Sequence, residues 1–125
     1  MSDTKLTLTR TVTEESLAVN MGSGSLRVLA TPCVAAWFEN AAMELAASYL
    51  EPGSTTVGCS ITVNHTAPSR LGAQVTVTAE LVKHAGRLFD FVLTAADGTG
   101  EVAMGVHQRA AVYAERFQQK ADARQ

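Results

Sequence analysis

The chain has 125 residues, 46% of them apolar, with 10 basic and 12 acidic side chains and a formal charge of −2. That length suits one domain with one sizeable core, read as residues 1–125 with 116–125 a charged tail, and the apolar share excludes a disordered chain. Charges of both signs are interspersed, so no basic stripe argues for nucleic acid and no polybasic run argues for a membrane anchor.

In chain order, Met1 to Arg10 is polar and alternating and lacks the apolar stretch of a signal peptide. Within it Leu6-Thr7-Leu8-Thr9 predicts a short strand. Glu14 to Gly24 has no clear period, and Met21-Gly22-Ser23-Gly24-Ser25 reads as a flexible loop. Thr31 followed by Pro32 marks a helix start, a hydroxyl suited to capping free N–H groups and then a proline in the first turn. Val34, Trp37, Phe38, Ala41, Leu45 and Tyr49 then recur at helical spacing and form one apolar face. Glu51-Pro52-Gly53 stops the helix, which makes it about 18 residues, or roughly 27 Å, long. The mostly apolar stretch Val28 to Tyr49 is broken by Pro32, Glu39, Asn40 and Glu44 and is too polar to span a membrane. The expected setting is the cytoplasm.

Everything after Ser54 reads as strand. Val57, Cys59, Ile61, Val63 and His65 alternate with small polar residues. Pro68 to Gly72 is a turn, and Val75, Val77, Ala79 and Leu81 alternate in the next strand. His84 to Arg87 predicts a hairpin loop, followed by Phe89, Phe91, Leu93 and Ala95 in alternation. Asp97-Gly98 makes a tight turn, and Glu101 to Tyr113 is the last strand. Arg116 to Gln125 is expected to be frayed or helical. The order strand, long helix, four antiparallel strands defines an α+β fold. One helix covers only part of so wide a sheet, and open strand edges invite pairing, so a homodimer is expected.

Several residues could carry chemistry. His65 shares the register of Ile61 and Val63, so it points to the buried side as a core histidine or as a general base. Glu39 and Glu44 flank the apolar stripe on opposite sides; solvent suits Glu44, and Glu39 faces either solvent or a cleft. Thr31 is a helix cap whose neighbouring N–H groups also favour negative charge. His84 falls in a hairpin loop and His107 two residues before Arg109. Cys33 and Cys59 lack CxxC spacing and read as small, reduced core residues. No His, Asp or Glu spacing resembles a metal site, and no phosphate loop or GxSxG motif is present.

Val28-Leu29-Ala30-Thr31-Pro32, Glu39 eight residues after Thr31, and Tyr49-Leu50-Glu51-Pro52-Gly53 resemble the fluoroacetyl-CoA thioesterase family of hotdog proteins. The match continues through Val57-Gly58, Thr62 to Ala67, Val75 to Leu81 and Gly105 to Ala110, covering roughly Leu26 to Phe117. The resemblance implies a hotdog fold, one long helix wrapped by a curved antiparallel sheet of about five strands. It implies hydrolysis of a small acyl-CoA to free acid and CoA by Thr31, Glu39 and His65, with no cofactor beyond the CoA of the substrate. Gly58 matches the family's glycine beside the thioester, and Arg109 its active-site arginine, set against a CoA phosphate or a site carboxylate. It places the sites at a dimer interface and leaves room for dimers to pair into tetramers.

On this reading Thr31 or a water attacks the thioester, His65 moves the proton, and Glu39 steadies the imidazolium. The fluorine-selective member carries an aromatic lid before the helix. Here Asn20 to Ser25 holds no Phe, which implies an acyl group of another kind. Two rival readings stay open: a hotdog dimer that binds an acyl-CoA or small metabolite without turnover, and a hotdog enoyl-CoA hydratase or dehydratase.

Overall fold

The computed structural model describes residues 3–124; Met1, Ser2 and Gln125, the extreme ends of the polar N-terminal stretch and of the charged tail, lie outside the described residues. Strand β1 (Lys5–Thr11) leads through a single 3-10 turn (Glu14–Ser16) and a short helix α1 (Ala18–Met21) to the long helix α2 (Thr31–Ala47). Four long strands follow: β2 (Ser54–His65), β3 (Gln74–Ala85), β4 (Leu88–Asp97) and β5 (Gly100–Tyr113). Helix α3 (Ala114–Asp122) ends the chain. All strands form one antiparallel sheet in the order β1-β3-β4-β5-β2. Both β1 and β2 are therefore edges.

Alternation makes one face of the sheet apolar, and helical spacing makes one face of α2 apolar; the two close on each other. Val75, Val77, Ala79, Phe89, Phe91, Leu93 and Ala95 are all buried on the sheet side. Val34, Phe38, Ala41, Ala42, Leu45 and Ala46 meet them from α2. Each large side chain sealed in this layer contributes about 1.5–3 kcal/mol. Gly105 lets the helix sit close: a Cβ there would collide with the Thr62 carbonyl and lie 3.3 Å from the Phe38 ring. The β3–β4 hairpin closes on Gly86, whose φ of 59° is a left-handed conformation that glycine adopts without steric cost.

Three sequence expectations change. The helix opens with Ala30 as its cap, and Thr31 is its first residue, with no side-chain cap bond. Its hydroxyl is engaged elsewhere, as described below. The β2 alternation is interrupted by a bulge between Gly58 and Ser60, so Thr56 is buried, Val57 only partly so, and Cys59 exposed. One extra residue reverses the side on which later side chains fall. Cys33 is buried as expected. His84 belongs to β3, where it stacks on Phe89 at 3.9 Å between ring centroids. The tail takes the helical of its two expected forms as α3, and the four residues of α1 are too few for a period to show in sequence. No helix among the described residues is long and apolar enough to cross a membrane.

Candidate active site

Two groups of polar side chains flank the helix, one at its start and one at its middle. At the start, Thr31 Oγ1 and His65 Nδ1 lie 2.8 Å apart. The first helical residue and the last residue of β2 are thus joined side chain to side chain. The other ring nitrogen, His65 Nε2, is buried and has no hydrogen-bond partner among the described residues. Burial pushes the His65 pKa below its ordinary value, and the Ala67 backbone works against that shift. The imidazole is therefore held neutral and able to accept a proton near neutral pH.

The middle group is built on Arg109, which is 6% exposed. Its Nε donates to Thr56 Oγ1 at 2.7 Å and its Nη2 to the Thr56 carbonyl at 2.9 Å. Its Nη1 donates to His107 Nε2 at 3.2 Å and to Glu39 Oε2 at 3.4 Å. His107 is itself fixed, with Nδ1 2.7 Å from the Ser60 carbonyl. A carbonyl only accepts, so Nδ1 carries the proton and Nε2 is left as the acceptor for Arg109. Burial, with the Arg109 charge second to it among the lowering causes, drives the His107 pKa down and keeps the ring neutral. The Glu39 carboxylate lies over Gly58, where a Cβ would stand only 2.6 Å from Oε2. Gly58 thus admits the carboxylate to the sheet surface. Glu39 remains 47% exposed on one side of this pair, which leaves an oxygen available to another group.

The sequence-named residues therefore fall into two sets. The structure joins Thr31 to His65, and Glu39 to Gly58 and Arg109. It does not bring Glu39 to His65 within the protomer. Eight residues of helix separate Thr31 from Glu39 by about 12 Å of rise. Arg109 faces the carboxylate, and four of its five N–H donors are committed within the protein. His107 was passed over in sequence as a strand residue; its inward direction follows from sharing the parity of Gly105 and Arg109 on β5. Among the described residues, no group of three His, Cys, Asp or Glu side chains could hold a metal ion.

A single long helix laid across a curved five-stranded antiparallel sheet is the plan of a hotdog-fold protein. A hot-dog-like protein from Thermanaerovibrio acidaminovorans superimposes with a TM-score of 0.88 over 98% of this chain and 91% of that one, at 23% identity. The family model for fluoroacetyl-CoA-specific thioesterase matches residues 12–115. A fluoroacetyl-CoA thioesterase from Streptantibioticus cattleyicolor is 41% identical over 93 residues, 74% of this chain and 67% of that protein. A solved structure of the fluoroacetyl-CoA thioesterase superimposes with a TM-score of 0.92 at 30% identity, over 100% of this chain and 97% of that one. The chain belongs to the fluoroacetyl-CoA-specific thioesterase family and is a thioesterase.

Proposed function

We propose that the protein hydrolyses a short acyl-CoA at a centre completed by a second copy of the chain. The observation that carries this reading is the unsatisfied Nε2 of a histidine already bonded to Thr31. With Thr31 donating to Nδ1, the ring proton sits on Nε2 and needs an acceptor. A buried donor without one costs about 1–3 kcal/mol. No carboxylate of the same protomer is bonded there, while Glu39 has an exposed side.

Strand β2 offers the way to join them. It is a twelve-residue edge strand. Antiparallel pairing of two β2 edges about a two-fold near Ile61 and Thr62 sets Gly58 of the partner subunit opposite His65. That brings the partner subunit's Glu39 towards His65 Nε2. Within one protomer, Gly58 and His65 lie roughly 20 Å apart along the strand. The dimer thus supplies the carboxylate that the protomer lacks.

The chemistry then follows. Thr31 Oγ1 attacks the thioester carbonyl carbon and gives its proton to His65 Nδ1. The partner's Glu39 accepts the Nε2 hydrogen and stabilises the imidazolium. The C–S bond breaks, and the CoA thiolate takes the proton from His65. Water then attacks the threonyl ester, His65 receives its proton and returns it to Thr31, and the free acid leaves. Arg109 acts through Glu39, which it holds in place over Gly58. No step requires a cofactor. Residues 1–125 serve as one domain, and unpaired thiols with a CoA substrate suit a reducing cytoplasm.

A thiol-release assay across acyl-CoAs of increasing length tests the reading. Release of CoA from short acyl-CoAs supports it. Binding that protects the thioester, or loss of an enoyl double bond without thiol release, refutes it.

A further inference from the structure

A second cavity lies beyond the centre, where the sheet ends. It has a volume of about 350 Å³ and is lined by Arg87 from the β3–β4 turn, Tyr113 from the end of β5, and Arg116, Phe117 and Lys120 from α3. None of the three cations pairs with a carboxylate among the described residues, where the only ion pairs are Arg27–Glu14 and Arg109–Glu39. Glu51, the acid of the lining, accepts a hydrogen bond from the Tyr113 hydroxyl at 2.7 Å. Three unpaired positive charges and two aromatic rings thus face one hollow in a protein whose net charge is −2. Arg116 also lies over the Tyr113 ring at 5.4 Å. Arg116 and Lys120 are one helical turn apart, so both reach the same side of α3.

We infer that this cavity holds the phosphates and adenine of the CoA moiety, an inference that rests on the acyl-CoA reading above. The spacing supports it. Tyr113 shares the inward parity of Arg109 and lies four residues further along β5, about 13 Å away. The pantetheine arm runs about twelve bonds from sulfur to the pyrophosphate oxygen, the reach of about four extended residues, or roughly 14 Å. In the dimer proposed above His65 lies opposite Gly58 of the partner subunit, so a thioester held between them delivers its pyrophosphate to the cations of that same partner subunit. Guanidinium groups bind phosphate oxygens in pairs, Lys120 adds a point charge, and the rings offer faces on which adenine stacks. The part of the cavity formed by α3 lies largely beyond residues 12–115, the span that the family model matches.

The test pairs the Arg116→Ala/Lys120→Ala double variant with acetyl-CoA and with S-acetylpantetheine, which lacks the nucleotide. The expected result is a KM for acetyl-CoA raised about tenfold, kcat within twofold, and unchanged kinetics on S-acetylpantetheine. The charge-retaining Arg116→Lys/Lys120→Arg variant should keep the KM near wild type. An unchanged KM in the alanine variant overturns the inference while leaving the thioesterase reading intact. Calorimetric titration with CoA separates the two further. If wild type binds CoA without hydrolysing acetyl-CoA and the double alanine variant loses that binding, the subsite stands and the activity falls. If wild type does not bind CoA, the subsite is wrong.

Discussion

Thr31 and His65 are separated by 34 residues yet share a 2.8 Å contact, hydroxyl to Nδ1, across the junction of helix and edge strand. The contact explains why Thr31 does not cap its own helix. It leaves the buried Nε2 as the ring nitrogen without a hydrogen-bond partner among the described residues. In the proposed mechanism this contact readies the hydroxyl as the nucleophile, with His65 as its base and the partner subunit's Glu39 completing the centre.

Replacing His65 with Ala removes the base. Thiol release from a short acyl-CoA is expected to fall by about two to four orders of magnitude, while circular dichroism and thermal melting stay near wild type. Thr31→Ala should fall by a comparable factor, and Thr31→Ser should retain part of the rate. Wild-type turnover in Thr31→Ala would assign the attack to water.

Glu39 and Arg109 should separate activity from stability. Glu39 is 47% exposed, so Glu39→Gln removes a pair that solvent already screens and changes the unfolding free energy by less than about 1 kcal/mol. Turnover should nevertheless drop by about a hundredfold or more. The Arg109 side chain is only 7% exposed and is the donor in four hydrogen bonds, so Arg109→Ala should destabilise by about 3 kcal/mol. Chemical denaturation of the two variants measures the contrast.

The histidines set an acid limit to stability. Both His65 and His107 have pKa values lowered from 6.5, chiefly by burial. Below the unfolded value the unfolded chain binds more protons than the folded one, so stability is full above pH 6.5 and is lost as pH falls towards the folded values. Thermal melting followed from pH 8 to pH 5 should show a midpoint that declines below about pH 6.5. His107→Gln should flatten part of that slope. A midpoint independent of pH across this range contradicts the assignment.

Gly105 is a packing requirement with no chemical role. Gly105→Ala drives a methyl into the Thr62 carbonyl beneath Phe38 and should destabilise by about 1–3 kcal/mol or more. Denaturant titration reads the loss directly.

Much of this was legible in the sequence for a physical reason. Phe89, Phe91, Leu93 and Ala95 alternate without interruption and are all buried, and Val34, Phe38, Ala41 and Leu45 follow one helical stripe into the core. The two periods report burial directly. Where a local feature breaks the period, the pattern misleads: the bulge at Gly58–Ser60 turned Cys59 outward although it shares the parity of Ile61. His107 carried a readable signal in its parity with Arg109, but its role depends on the Ser60 carbonyl, a contact across 47 residues that no local pattern encodes. Thr31 and Glu39 were visible as residues, while their division into two groups arises from the rise of the helix.

The most direct test mixes His65→Ala and Glu39→Gln chains, each inactive alone, and refolds them together. If the centre is shared between subunits, a mixed dimer holds one intact site. Random pairing then restores about a quarter of wild-type thioesterase activity. If Thr31, Glu39 and His65 instead act within one chain, every site keeps a lesion, and the mixture remains as inactive as its components.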